Sequence, residues 1–261
     1  MRLHSIPLAG AALLLAVASS CSSDKAKQSE NESIEFESYN FTRIAEQTEG
    51  DSLAFPGSEY CRVSGQGVLP VKIGKNDISA LRDSLSKLAE IEFPASGVVS
   101  PVMTEGWKLT EKSDTTTACG ERFNYLSMVL TTPYIIVWQD YVGMLNCGAA
   151  HGIYANRYVN YSLRNGKILN LSDLMKPGYQ KRLTEMLQEK LDGNENVSAE
   201  IQEIGIPEQW RVTPDGITFI YSVYEIGPYS SGEIEVPFYL YEFEEIMTRE
   251  GANLISAIPV E

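Results

Sequence analysis

Two neighbouring runs, Arg122–Leu130 and Tyr134–Val142, constrain the fold more than any other feature of the chain. Both are rich in aromatic and β-branched residues, and Thr131-Thr132-Pro133 lies between them. Such a pattern reads as two strands of a hairpin around a short turn. Centred near Pro133, with Leu130 facing Ile136, the hairpin sets Cys119 and Cys147 opposite each other just beyond the strand ends. These two are therefore the expected disulfide, in preference to any pair that uses Cys61. A bulge or a one-residue slip would break that register.

Around the hairpin the elements alternate without a regular βαβ rhythm. Residues Asn76 to Ile91 carry Ile78, Leu81, Leu85 and Leu88 at helical spacing, with Asn76 or Asp77 as cap and Phe93-Pro94 as stop. Arg157 to Leu163 alternates as a strand, Asn165-Gly166 marks a turn, and Lys167 to Leu171 is again extended. Ser172 or Asp173 opens a short helical turn, and Pro177 suits the first position of a helix with the stripe Leu183, Met186, Leu187 and Leu191. Gln209–Thr213 and Ile217–Val223 form a second hairpin about Pro214-Asp215-Gly216, Glu233–Pro237 is a further strand, and Leu240, Phe243 and Met247 mark a final helix. The expected class is α+β: mainly antiparallel sheet packed by two or three helices.

The N-terminus gives an address. Arg2 precedes an apolar run, Ile6 to Ala18, then Ser19, Ser20 and Cys21. A basic start, a short apolar core and a small-residue site form an export signal, and the run is too short to span a bilayer. Cysteine directly after the small residues resembles the lipobox of bacterial lipoproteins. That resemblance implies cleavage before Cys21, a palmitate-type lipidation of its thiol, and a bacterial cell-envelope location on the periplasmic face or the cell surface. The expected organisation is a signal peptide (1–20), a polar flexible tether (21–35), an N-terminal α+β unit (36–145) and a C-terminal α+β unit (146–261).

Charge narrows the partners. The whole chain has a net charge of −14, and the cleaved segment carries only one charged residue, Arg2. Nucleic acid and anionic lipid headgroups are excluded as direct partners on this ground. A basic protein is attracted instead. Past Cys21 the cysteines are Cys61, Cys119 and Cys147, with no Cys-x-x-Cys motif to support thiol redox catalysis.

Past the signal there is a single histidine, His151. This is too few for an ordinary zinc hydrolase, and the chain has no HExxH, EF-hand, P-loop, GxGxxG or GxSxG motif, so neither a metal nor a cofactor is expected. His151 sits in a small-residue loop, Asn146-Cys147-Gly148-Ala149-Ala150-His151-Gly152. It either holds that loop through backbone hydrogen bonds or faces a ligand. A second loop gathers Tyr221, Tyr224, Glu225, Gly227-Pro228 and Tyr229. Tyrosine rings and hydroxyls suit glycan or protein surfaces, or else complete a core. Glu225, Glu233 and Glu235 lie nearby, but their spacing singles out no acid–base pair.

The stretches Gly148–Leu174 and Gly216–Phe238 resemble two landmarks of an exported domain-of-unknown-function family, number 3298. The first is a Gly-Gly-Ala-His-like turn, a Tyr/Asn-rich strand and a Leu-Ser-Asp-Leu helix start. The second is a strand followed by a Tyr-Glu-Ile-Gly-Pro-Tyr loop. This chain has Ala149 where the family more often has glycine. The resemblance covers the C-terminal half. It implies a Bacteroides-like lipoprotein whose residues 36–145 correspond to the companion domain of deacetylase-associated proteins and lysozyme-sensing anti-sigma factors. The expectation is a non-catalytic binding protein for a peptidoglycan fragment or a basic protein such as lysozyme, acting through His151, Gly148, Tyr224, Glu225 and Tyr229. The alternatives are a cell-wall carbohydrate hydrolase or esterase with His151 as base, and a scaffold subunit for another envelope protein.

Overall fold

The computed structural model describes residues 33–48, 59–92, 99–111, 118–201 and 203–256. The signal, Cys21, most of the tether and the Phe93-Pro94 stop lie outside them. The elements run β1 (Ile34–Gln47), β2 (Tyr60–Ile73), α1 (Ser79–Leu88), β3 (Ile91–Glu92), β4 (Ser100–Pro101), β5 (Trp107–Leu109), β6 (Gly120–Thr131), β7 (Ile135–Leu145), β8 (Ile153–Ser162) and β9 (Lys167–Ile168). They continue with α2 (Leu171–Leu174), α3 (Tyr179–Leu191), β10 (Gln209–Thr213), β11 (Gly216–Tyr221), β12 (Ile234–Tyr239) and α4 (Arg249–Ile255). The class is α+β with mainly antiparallel sheets. A seven-stranded sheet has the order β5-β1-β2-β6-β7-β8-β9, and β10-β11-β12 form a three-stranded meander. In the large sheet β2 and β6 pair in parallel, and α1 lies in the long connection such a pair requires.

β7 is the wall between two cores. Ile135, Ile136, Val137 and Trp138 are all 0 % exposed. Successive side chains of a strand point to opposite faces. Ile136 and Trp138 therefore enter one core with Tyr39, Leu69, Leu81, Leu85 and Tyr161. Ile135 and Val137 enter the other with Leu183, Leu187, Phe219, Phe238 and Phe243. The expected division at 145/146 falls inside this sheet, where β7 and β8 pair from Ile135–Ser162 to Met144–Ile153. The meander is tied to β8 by the buried Asn160 amide, which donates to Trp210 O at 3.0 Å and accepts from Val212 N at 2.8 Å.

The β6–β7 turn is one residue later than expected. Thr132 N donates to Ile135 O, and Thr132 Oγ1 accepts from Tyr134 N and Ile135 N, so Pro133-Tyr134 form the loop. Leu130 consequently faces Val137, not Ile136. The ladder then shifts between Met128 and Leu130, after which Met128 faces Trp138 and Glu121 faces Leu145. The bulge cancels the displacement of the turn, and Cys119 and Cys147 form a disulfide with a Cα–Cα distance of 5.1 Å. Cys61 is a buried free thiol.

Helix boundaries differ from the sequence pattern for local reasons. Asp77 Oδ1 accepts from Ser79 N at 2.9 Å, so α1 begins later than Asn76. Asp173 Oδ2 accepts from Asn170 N at 2.8 Å, which draws Leu171 into α2 and ends the extended stretch at Ile168. Pro177 lies ahead of α3 because Gly178 takes a left-handed φ of 82° at its start. The expected final helix is a 3₁₀ turn, Leu240–Phe243, and the true terminal helix is α4, where Thr248 Oγ1 accepts from Gly251 N at 2.9 Å.

A polar cluster holds α1 to the sheet. Its C-terminal carbonyls receive side-chain donors: Leu88 O from Arg157 Nη2, and Ala89 O from Asn124 Nδ2. Arg157 also donates to the fully buried Asp140 at 2.7 Å. Burial pushes the Asp140 carboxyl up to about 6 while Arg157 pulls it down.

Two outcomes follow. Ile135→Ala and Ile136→Ala should each cost about 2–5 kcal/mol in urea unfolding, since both fill a core; a strand buried on one face would spare one of them. In the second, the folded chain holds more protons at Asp140 than the unfolded chain between about pH 4 and 6, so this group's contribution falls as pH rises through that window. Unfolding midpoints across pH 4–6 should show that the stability of the parent chain relative to Asp140→Asn declines with rising pH.

Candidate functional site

The meander and its helices cover only part of one face of the large sheet, the part around Ile135, Val137 and Tyr158. Toward the disulfide, no described element of the meander covers the same face. Register places two rows of side chains across five strands there. One row is Asn40–Gln66–Tyr125–Tyr141–Asn156, read along β1, β2, β6, β7 and β8. The adjacent row is Thr42–Ser64–Phe123–Gly143–Tyr154. Asn40, Thr42, Gln66 and Tyr125 are exposed, and Ser64, Phe123, Tyr141, Tyr154 and Asn156 are half-buried.

The rings of these rows touch. Phe123 lies 5.3 Å from Tyr125 and 5.5 Å from Tyr141, and Tyr141 lies 5.9 Å from Tyr154, centroid to centroid. Tyr154 meets Tyr229 edge-on at 6.4 Å, and Tyr229 reaches Tyr224 at 5.6 Å and stacks on His151 at 4.0 Å. Gly143 makes the row possible. A Cβ there would lie 2.1 Å from Phe123 Cζ, so the ring occupies the space a side chain would fill. Burial, with a smaller effect of neighbouring Tyr154 and Glu233, raises the Tyr141 phenol above its ordinary value, so it remains a neutral donor.

Both loops singled out in the sequence converge at one end of the row. The disulfide anchors the first, in which Gly148 has a φ of 76° and is exposed. Ala149 takes no positive φ, so its backbone does not require glycine. His151 is exposed, with Nδ1 3.1 Å from Gly152 O. In the second loop the Tyr229 hydroxyl donates to the same Gly152 O at 2.8 Å, which joins the loops. Tyr224 is 54 % exposed at a φ of 72°, an uncommon backbone state for a non-glycine residue. Glu225 does not face the rings as a free acid, because its Oε2 accepts from Ser222 N at 2.7 Å and braces the turn. Tyr221 is core, with its hydroxyl on Gly205 O. Glu233 accepts from both the backbone and side-chain nitrogens of Asn156, which locks the loop to β8.

Beyond Tyr125 the face becomes polar. A groove of ≈ 420 Å³ is lined by Asn40, Thr42, Arg62, Ser64, Gln66, Glu121 and Tyr125. Arg62 Nη2 and Glu121 Oε2 pair at 2.9 Å. On the opposite face a cavity of ≈ 280 Å³ has apolar walls that include Val63, Val142 and Ile153. Its guanidinium groups are engaged, Arg122 by Thr104 Oγ1 and Arg157 by Asp140 and Leu88 O. No group of three His, Cys, Asp or Glu side chains among the described residues is placed to hold a metal. No carboxylate or hydroxyl among them is hydrogen-bonded to His151.

Phe123, Tyr125, Tyr141, Tyr154, Asn156 and Gln66 are the residues that motif reading missed. Their signal was the outward half of the strand alternation.

Gly143→Ala should displace the Phe123 ring. Near-UV circular dichroism should lose aromatic intensity while the far-UV spectrum is kept; unchanged near-UV intensity would show that the ring is not seated on Gly143.

Comparison with known proteins comes to the same architecture. A family model described as "Protein of unknown function (DUF3298)" matches residues 172–239. This range contains the second landmark in full and only the end of the first. A crystal structure of a DUF3298 family member from Bacteroides fragilis is similar, with 24 % identity and a TM-score of 0.61, over 87 % of this chain and 98 % of that one. A DUF3298 family protein from Pseudomonas aeruginosa is similar at 14 % identity and a TM-score of 0.57, over 88 % of this chain and 99 % of that one. At these identities the likeness shows the fold. No curated protein matches the chain.

Proposed function

We propose that this chain is a lipid-anchored cell-envelope binding protein that takes cell-wall carbohydrate on the open face of its large sheet. The observation that carries the reading is the continuous row of rings from Tyr125 to Tyr229. Ring surfaces pack against the C–H faces of sugars, and phenols and amides bond their hydroxyl and acetamido groups. Cys21 is the lipid attachment, with the polar residues that follow it as tether. His151 acts as a contact stacked on Tyr229; among the described residues its hydrogen-bond partner is Gly152 O, not a nucleophile or an orienting carboxylate. Gly148 shapes the turn that carries it.

A second reading, a basic protein such as lysozyme as partner, is favoured by the net charge of −14 and by tyrosines as rigid contact surface.

Calorimetric titration with soluble peptidoglycan fragments tests the first reading. Saturable binding should survive moderate salt, and Tyr141→Ala or Tyr154→Ala should weaken it about tenfold, the ~1–2 kcal/mol of one aromatic contact. Fragments that give no heat, alongside lysozyme binding that persists at moderate salt, would replace carbohydrate with the protein partner. Steady release of reducing ends would instead support the hydrolase, with His151→Ala as its check.

A further inference from the structure

We infer that the ligand is an internal stretch of a linear, uncharged glycan that lies across the strands, from the Tyr229 loop to the edge of β1. This rests on the carbohydrate reading above and adds the length, direction and charge of the bound segment.

Register carries the direction. Each row crosses β1, β2, β6, β7 and β8, and neighbouring strands stand ~4.8 Å apart, so a row spans roughly 19 Å. That is several sugar rings, not one. The two parts of the face adjoin at Tyr125, which lines the polar groove and touches the ring row through Phe123 and Tyr141. A chain lying along the rows passes from rings on β6–β8 to amides and hydroxyls on β1–β2.

Among the described residues neither end is closed by a paired strand. β1 pairs with β5 only over Ala45–Gln47, so Asn40 and Thr42 lie at the sheet edge. At the other end β9 pairs with β8 only at Tyr161 and Ser162, and Tyr224 is exposed. Such a path accepts the middle of a polymer.

The charged groups along the path are already committed to protein partners. Arg62 is paired with Glu121, and Glu233 is engaged by Asn156. The remaining groups, Asn40, Thr42, Ser64, Gln66 and the phenols, are neutral donors and acceptors suited to hydroxyl and acetamido groups.

The test is calorimetry of the purified protein with β-1,4-linked N-acetylglucosamine oligomers from dimer to hexamer. Affinity should rise at least tenfold from dimer to pentamer. The double variant Asn40→Ala/Gln66→Ala should remove about tenfold for the pentamer and leave the dimer unchanged, whereas Tyr141→Ala should weaken both. These substitutions are at exposed or surface positions outside both cores. Equal affinity for dimer and hexamer, unaffected by the double variant, would overturn the extended site while the carbohydrate reading stands. Binding by no oligomer would overturn the extended site, and lysozyme bound at moderate salt in its place would overturn the carbohydrate reading as well.

Discussion

The structure depends on the burial of β7 from both sides. A strand that sends Ile136 and Trp138 into one core and Ile135 and Val137 into the other cannot slip by a residue without exchanging the two sets. Each core then recruits its own cover: α1 on one face, and the meander with α3 and α4 on the other. The Pro133-Tyr134 turn, the Val129 bulge and the Cys119–Cys147 disulfide set the same register from three points along one hairpin.

An open face is the consequence of unequal covers. The meander reaches β8 through Asn160 and Gln209, near the turn end of the hairpin. It therefore leaves the disulfide end of the sheet without a second layer among the described residues. Rings occupy that end without collapsing on one another because Gly143 lets Phe123 lie flat on β7 and because Glu233 and Tyr229 hold the flanking loops. Neighbours held this way lose little freedom when a ligand arrives, which makes a preorganised surface effective for binding.

Legibility differed by the kind of signal. The helical stripe of α3 and the strands β6, β7, β10 and β11 were evident, since hydrophobic period and turn residues are local. Pro177 and Met247 misled because their roles are set by a left-handed Gly178 and by a bridge to Met175. His151 and Tyr229 were noticed as parts of two separate loops, and their 4.0 Å stack joins residues far apart in the chain. Glu225 was named as a candidate binding residue from its place beside the tyrosines, and its carboxylate also braces its own turn.

By itself the sequence determined the α+β class, the strand alternation and the acidic balance. These follow from residue chemistry and from periods of two and 3.6 residues. Only the tertiary structure decided that β2 lies parallel to β6, that Asn40, Gln66, Tyr125, Tyr141 and Asn156 share one row, and that the meander stops short of them. Strand order and register between distant segments arise from which faces bury one another, and no local pattern in the chain encodes that choice.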